Sequence, residues 1–255
     1  MSEERTLQRL LEAFLGKPQT PAPPPSPESI PPIGEMLAEL IQLDDRVFGR
    51  YAFSRDPLRG KFSPEKMDTL TQQAGQCGRE YAQSTAKEHG TSSPQAIAKA
   101  LDIKVEKPSQ PTGTDRVTFA QFAPPGTISI FRHGLEKAEQ VLEDSQVRQI
   151  MGNITVEDIL LAHELFHVVE EKNKSEIFTR TRKVELWAPW PLHNRSTIRS
   201  LSEIAGMAFA RELTGLPYSP FVLDVFLIYG YAPAAAFSLY SEITGLARKL
   251  DQADE

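Results

Sequence analysis

His163, Glu164 and His167 stand in the run Leu161-Ala162-His163-Glu164-Leu165-Phe166-His167-Val168, an H-E-x-x-H pattern in a chain with only five histidines. On a helix, residues four apart share a face, so both imidazoles can present a nitrogen to one cation. Zinc suits such a pair, because it takes nitrogen ligands in tetrahedral geometry and can leave a position open for chemistry. Glu164 adjoins a ligand without being one, and is placed to accept a proton from a metal-activated water. The chemistry expected is hydrolysis by a zinc-activated water, with one zinc per chain. A purely structural role would strand His163, Glu164 and His167 in an apolar helix without partners, so the metal reading is preferred.

Two histidines leave zinc under-coordinated, and a third protein ligand is required. The nearest later histidine, His193, lies in a proline-flanked stretch without the glycine-rich spacing that accompanies a third histidine. The helix expected over 197–213 carries Glu203 and Glu212 instead. Glu203 shares its face with Gly206, Met207 and Ala210, whose small members admit a neighbouring helix. Glu212 falls in the apolar stripe with Leu201, Ala205 and Ala208, where a buried carboxylate paired with an arginine is the plainer expectation. Glu203 is therefore the expected ligand and Glu212 the alternative. A second donor to the developing oxyanion is also needed. His193 is the candidate carried forward, with Arg195, Tyr218 and His133 beside it.

These residues need elements to hold them. Thr155 followed by Asp158 marks a helix start just before the histidines. The alternation over Val117 to Phe122, the turn Pro124-Pro125-Gly126 and the run Thr127 to Phe131 predict a β-hairpin. Its edge would accept an extended peptide as a further strand. A strand is expected over 103–106. Ser63-Pro64 and Ser93-Pro94 each predict a helix start, the first running to about Glu88 through Gly75 and Gly78. One helix is expected from Glu35 to Phe48 and another over 135–142, after which the segment 146–151 leads to the histidine helix. Val184 to Pro191 reads as an edge strand or loop, because prolines exclude a central strand. Ser196 is the expected cap of the Glu203 helix, and two apolar helices follow near 221–228 and 233–250.

Residues 1–16 have the spacing of a short amphipathic helix, a candidate for docking into a partner's groove. The linker 17–33 follows, with eight prolines between Lys17 and Pro32. A helical part over 34–92 then precedes a catalytic domain over 93–255. A net charge of −6 argues against direct nucleic-acid binding. The single cysteine, Cys77, excludes an intrachain disulfide and a multi-cysteine zinc site. No run of about 18 apolar residues occurs, so a cytoplasmic chain without a membrane anchor is expected.

The chain resembles the ImmA/IrrE-like metallopeptidases, small members of the gluzincin group. The resemblance spans about Pro94 to Pro217. It rests on Ala96 to Val105, Thr127 to Phe131, Ala162-His163-Glu164-Leu165-Phe166-His167 and Ala208-Phe209-Ala210-Arg211-Glu212-Leu213. It implies an α+β fold, mainly helical and gluzincin-type, with a small sheet beside the H-E-x-x-H helix. It also implies a zinc peptidase acting on a peptide or protein, in some members a transcriptional repressor. Three positions depart from the family pattern: Phe166 replaces the usual glycine, Ala205 stands where a glutamate is frequent, and Met207 takes the place of an acid that orients a histidine. The competing reading is a non-catalytic zinc-binding interaction protein on the same scaffold.

Overall fold

The structure, a computed structural model, describes residues 30–109, 118–153, 155–187 and 194–254. The amphipathic segment 1–16, most of the linker, Val117 and His193 lie outside the described residues. Two helices come first, α1 (Ile33–Leu40) and α2 (Asp45–Ser54), where the apolar spacing predicts one. Asp44 makes the break: its side chain accepts the Val47 N–H at 3.0 Å, capping a new helix instead of continuing the old. A 3₁₀ turn, Arg59–Lys61, leads to the long α3 (Pro64–His89). Ser63 caps α3 with proline at its first position, and Gly90, at φ 66°, ends it. Helix α4 (Pro94–Ala100) starts in the same way from Ser93.

Three short strands follow, β1 (Lys104–Glu106), β2 (Ala120–Ala123) and β3 (Thr127–Ile130). They form a sheet in the order β1-β3-β2, with β1 parallel and β2 antiparallel to β3. The returning hairpin thus occupies the middle of the sheet with its third strand, leaving β2 as an edge. Helices α5 (Arg132–Val141) and α6 (Ser145–Met151) connect to α7 (Val156–Lys172), which carries the histidines. Thr155 caps α7 as expected, accepting the Asp158 N–H at 3.1 Å.

A single turn, α8 (Phe178–Thr181), precedes the two-stranded ribbon β4 (Lys183–Trp187) and β5 (Asn194–Thr197), paired antiparallel. Helix α9 (Arg199–Thr214) follows, then α10 (Val222–Tyr229) and α11 (Pro233–Asp254). Ser196 does not cap α9. It sits in β5, and the helix begins after Ile198 with no side-chain cap of its own. The buried Asp56 serves in its place, accepting the Ser200 N–H at 2.9 Å across the fold. Its negative charge also meets the positive end of the helix dipole.

The described chain is mainly helical with a small sheet, an α+β architecture. Helix α7 is apolar nearly all round: Ile159, Leu161, Ala162, Leu165, Phe166 and Val168 are buried. Such a helix must be enclosed. The sheet, α4, α5, α3 and α9 enclose it. Helix α9 lies between α7 and α3, and two glycines allow this. A Cβ on Gly78 of α3 would come within 2.1 Å of the Ala205 carbonyl oxygen, so only glycine permits that crossing. Phe166 packs on Phe209 with ring centroids 5.8 Å apart, both fully buried. Each such aromatic contributes roughly 1.5–3 kcal/mol by leaving water. One apolar core extends from Ile33 to Ile243. Among the described residues, no helix is long and apolar enough to cross a membrane.

Candidate metal centre

His163 and His167 occupy successive turns of α7, and Glu203 faces them from the second turn of α9. The two imidazole Nε2 atoms are 3.2 Å apart, and Glu203 Oε2 lies 3.5 Å from His163 Nε2. One donor atom from each of the three residues falls within 4.8 Å of the others. Tetrahedral zinc with bonds of about 2.0–2.1 Å holds neighbouring donors roughly 3.3 Å apart. The donor types and the two shorter separations fit that ion, with one coordination position left over. His163 and His167 are partly buried, whereas 51% of the Glu203 side-chain surface is open.

Burial opposes charge on His163, but the hydrogen bond and negative charge of Glu203 prevail and hold its pKa above the ordinary value. Burial likewise opposes charge on Glu203, and the bond to His163 prevails to hold that carboxyl below its usual range. Each therefore favours the other's charged form, and water reaching Glu203 screens the attraction.

Glu203 and Glu212 have different surroundings. Glu212 is exposed on α9, over two turns along it from Glu203, and accepts from the Gln83 amide at 2.8 Å. It is not buried, and among the described residues it has no arginine partner; Gln83 of α3 meets it at the rim of the α3–α9 contact instead. Ala205, in the register where the family resemblance suggests an acid, is buried against Gly78 and offers no donor.

Glu164 has turned from the two Nε2 atoms toward the sheet. Its Oε2 accepts the Phe122 N–H from edge strand β2 at 2.7 Å, and the residue is only 7% exposed. The second oxygen remains available at the cavity.

A support for His167 escaped the sequence reading. Glu170 is fully buried one turn further along α7, with Oε2 3.7 Å from His167 Nδ1. Ser202 donates to the same oxygen at 2.9 Å and lies 3.4 Å from His167 Nδ1. Thr179 donates to Oε1 at 2.5 Å, and Arg180 pairs with Oε2 at 2.9 Å. Burial raises the Glu170 pKa, but these bonds and the Arg180 charge outweigh it and hold the carboxyl below its usual range. Spacing was the available signal, since positions 163, 167 and 170 share one helix face. His163 lacks such support: its buried Nδ1 has no partner among the described residues. The wall behind it is Gly206, where a Cβ would lie 2.9 Å from His163 Cε1.

Two cavities flank His163, Glu164 and Glu203. One, of about 290 Å³, is lined by Phe119, Leu160, Leu223, Asp224 and Leu227 among others. The other, of about 560 Å³, contains His167, Glu170, Arg180 and Arg199. A larger hollow of about 800 Å³ between α2, α3 and α9 contains none of the three candidate ligands. The expected oxyanion donors do not gather here. His193 lies outside the described residues, and Arg195 is exposed on β5. The buried Tyr218 donates to Met151 Sδ at 3.3 Å, while His133 packs edge-on to Tyr231. None of Arg195, Tyr218 or His133 lines either flanking cavity.

No protein-family model, curated protein or solved structure matches the chain. The chemical reading therefore stands on the residues themselves.

Proposed function

We propose that this chain is a zinc-dependent peptidase of the ImmA/IrrE-like, gluzincin kind, with His163, His167 and Glu203 holding one zinc. The observation that carries the reading is the 3.2 Å and 3.5 Å donor spacing beside a glutamate held on an edge strand. Bound zinc supplies Lewis acidity, lowering the pKa of water and stabilising negative charge on a carbonyl oxygen. The protein's own groups perform the rest. The Phe122 N–H fixes Glu164 Oε2, leaving Oε1 to take a proton from the attacking water. The same carboxyl then delivers that proton to the departing amine nitrogen. Glu170 and Ser202 orient the His167 ring, as supporting partners do for histidine ligands. An extended substrate can add to the open side of β2, the sheet's edge strand, beside Glu164. The resemblance adds a regulatory role on a specific intracellular protein, such as a repressor.

The test is Glu164→Gln. Glutamine keeps the acceptor for Phe122 N–H and removes the base. Cleavage of a peptide that the zinc-loaded wild type hydrolyses should fall by about 10²–10⁴-fold, with zinc content and melting unchanged. An undiminished rate refutes the role of Glu164. A wild type that binds zinc yet cleaves nothing supports a zinc-holding interaction protein.

A further inference from the structure

The cavity of about 290 Å³ beside the proposed zinc site has an uneven lining. Phe119, Leu160, Leu223 and Leu227 give it apolar walls, and among the described residues no lysine or arginine lines it. Asp224 is the polar group on the wall formed by α10, an otherwise apolar helix of sequence Val-Leu-Asp-Val-Phe-Leu-Ile-Tyr. The buried Tyr51 donates to Asp224 Oδ2 at 2.7 Å. Oδ1 has no hydrogen-bond partner, and the carboxylate has no ion pair, among the described residues. The nearest cation behind it, Arg55, stacks over the Tyr51 ring and is bound by both oxygens of Glu242 at 2.6 and 2.8 Å. A half-buried carboxylate without a cation is costly, and such groups concentrate where a ligand supplies the missing charge. Burial is the main cause of its pKa, pushed up to about 6 despite the Tyr51 hydrogen bond.

The charge count points the same way. With zinc bound, its two positive charges would be matched by Glu203 and Glu164, the ligating imidazoles being uncharged. Asp224 is then a surplus negative charge in a cavity with greasy walls. The complementary occupant has a long alkyl stem and a cationic tip.

We propose that Asp224 sets substrate specificity by receiving a lysine or arginine side chain next to the scissile peptide bond. This rests on the zinc-peptidase reading. A cavity of about 290 Å³ accommodates a single side chain, at the small end of ligand pockets. The stem packs on Leu223, Leu227 and Phe119 while the tip reaches Asp224 Oδ1. A substrate's terminal ammonium has the same charge but no stem to cover those walls, so the side chain is the occupant.

Hydroxamates, which chelate the metal, test this on the zinc-loaded full chain by calorimetry. The probes are the Nα-acetylated hydroxamates of lysine, norleucine and glutamate, with lysine hydroxamate acetylated only on Nε as the control for a terminal amine. The Nα-acetyl-lysine probe should bind about 10-fold tighter than the norleucine probe, the value of one charge-assisted hydrogen bond. The glutamate probe should be weakest. Asp224→Asn, which keeps an acceptor for Tyr51, should erase the lysine advantage while retaining zinc and norleucine affinity. Asp224→Glu should restore part of it. Equal binding of lysine and norleucine by wild type overturns the inference, whatever the stability of the variants. So does a preference that follows the free α-amine, or loss of zinc from Asp224→Asn. No binding of any hydroxamate by metal-loaded protein overturns the peptidase reading itself, and this inference with it.

Discussion

Gly206→Ala should separate metal affinity from stability, because it acts on them with opposite signs. An alanine Cβ at 206 would lie 2.9 Å from His163 Cε1 and 3.0 Å from Nδ1, with Phe166 Cδ1 at 3.4 Å. Restoring an ordinary 3.4 Å contact requires about 0.5 Å of movement by the ring or by α9. Helix α9 cannot retreat, because on its other side the Ala205 carbonyl already rests over Gly78. The His163 ring must move, and it is one of the three proposed ligands. Losing the outer support of a ligand costs 10- to 100-fold in affinity, about 1.4–2.7 kcal/mol, and the same range is expected here. Meanwhile alanine is favoured over glycine within a helix by about 0.8–1.0 kcal/mol. In chelator, Gly206→Ala should therefore melt at or above the wild-type temperature. In a zinc titration it should bind at least 10-fold more weakly. Wild-type zinc affinity in a variant that folds normally refutes the contact between Gly206 and the ligand ring.

Three further outcomes are expected. Glu203→Ala should weaken zinc binding at least 10-fold while Glu212→Ala leaves it within twofold, read by competition with a fluorescent chelator; the reverse order refutes the assignment of Glu203. Glu170 is held below its ordinary pKa of 4.5, so its stabilisation is complete above that pH and lost as pH falls through the folded value. In chelator, Glu170→Gln should then lower stability at pH 7 and lessen the drop on acidification below pH 4.5, measured by denaturant unfolding; parallel pH curves exclude the linkage. Gly78→Ala should destabilise by about 1–3 kcal/mol through overpacking, whereas Gly75→Ala, facing only the movable Arg79 tip, should be neutral or stabilising by up to about 1 kcal/mol.

The two histidines were legible because their relation is local: four residues on one helix fix a shared face whatever the rest of the chain does. Glu203 was legible at one remove, through Gly206 and Ala210 marking the side of α9 that another helix can approach. Glu170 obeyed the same arithmetic and was overlooked among the charged residues that end α7. Asp224 carried a fainter signal, one acid inside an apolar helix. Local capping also decided what periodicity could not. The apolar spacing from Glu35 to Phe48 suits one helix, and Asp44 divides it. What had no sequence signal was long-range. Ser196 has the chemistry of a cap, yet strand pairing claims it and Asp56 takes the position. The bond from Phe122 N–H to Glu164 depends on β2 being an edge, which follows from strand order and not from composition.

The cap that Asp56 gives α9 bears on where the chain can be divided. The helix carrying Glu203 has its first turn fixed by a residue 144 positions earlier and its middle seated in a notch at Gly78. The helical part and the proposed catalytic part are thus halves of one interlocked body. Cleavage in the turn at 90–93 would yield complementing fragments, each holding surface meant for the other. The half with the candidate metal centre would retain both histidines alone but have no template for the arm that carries Glu203.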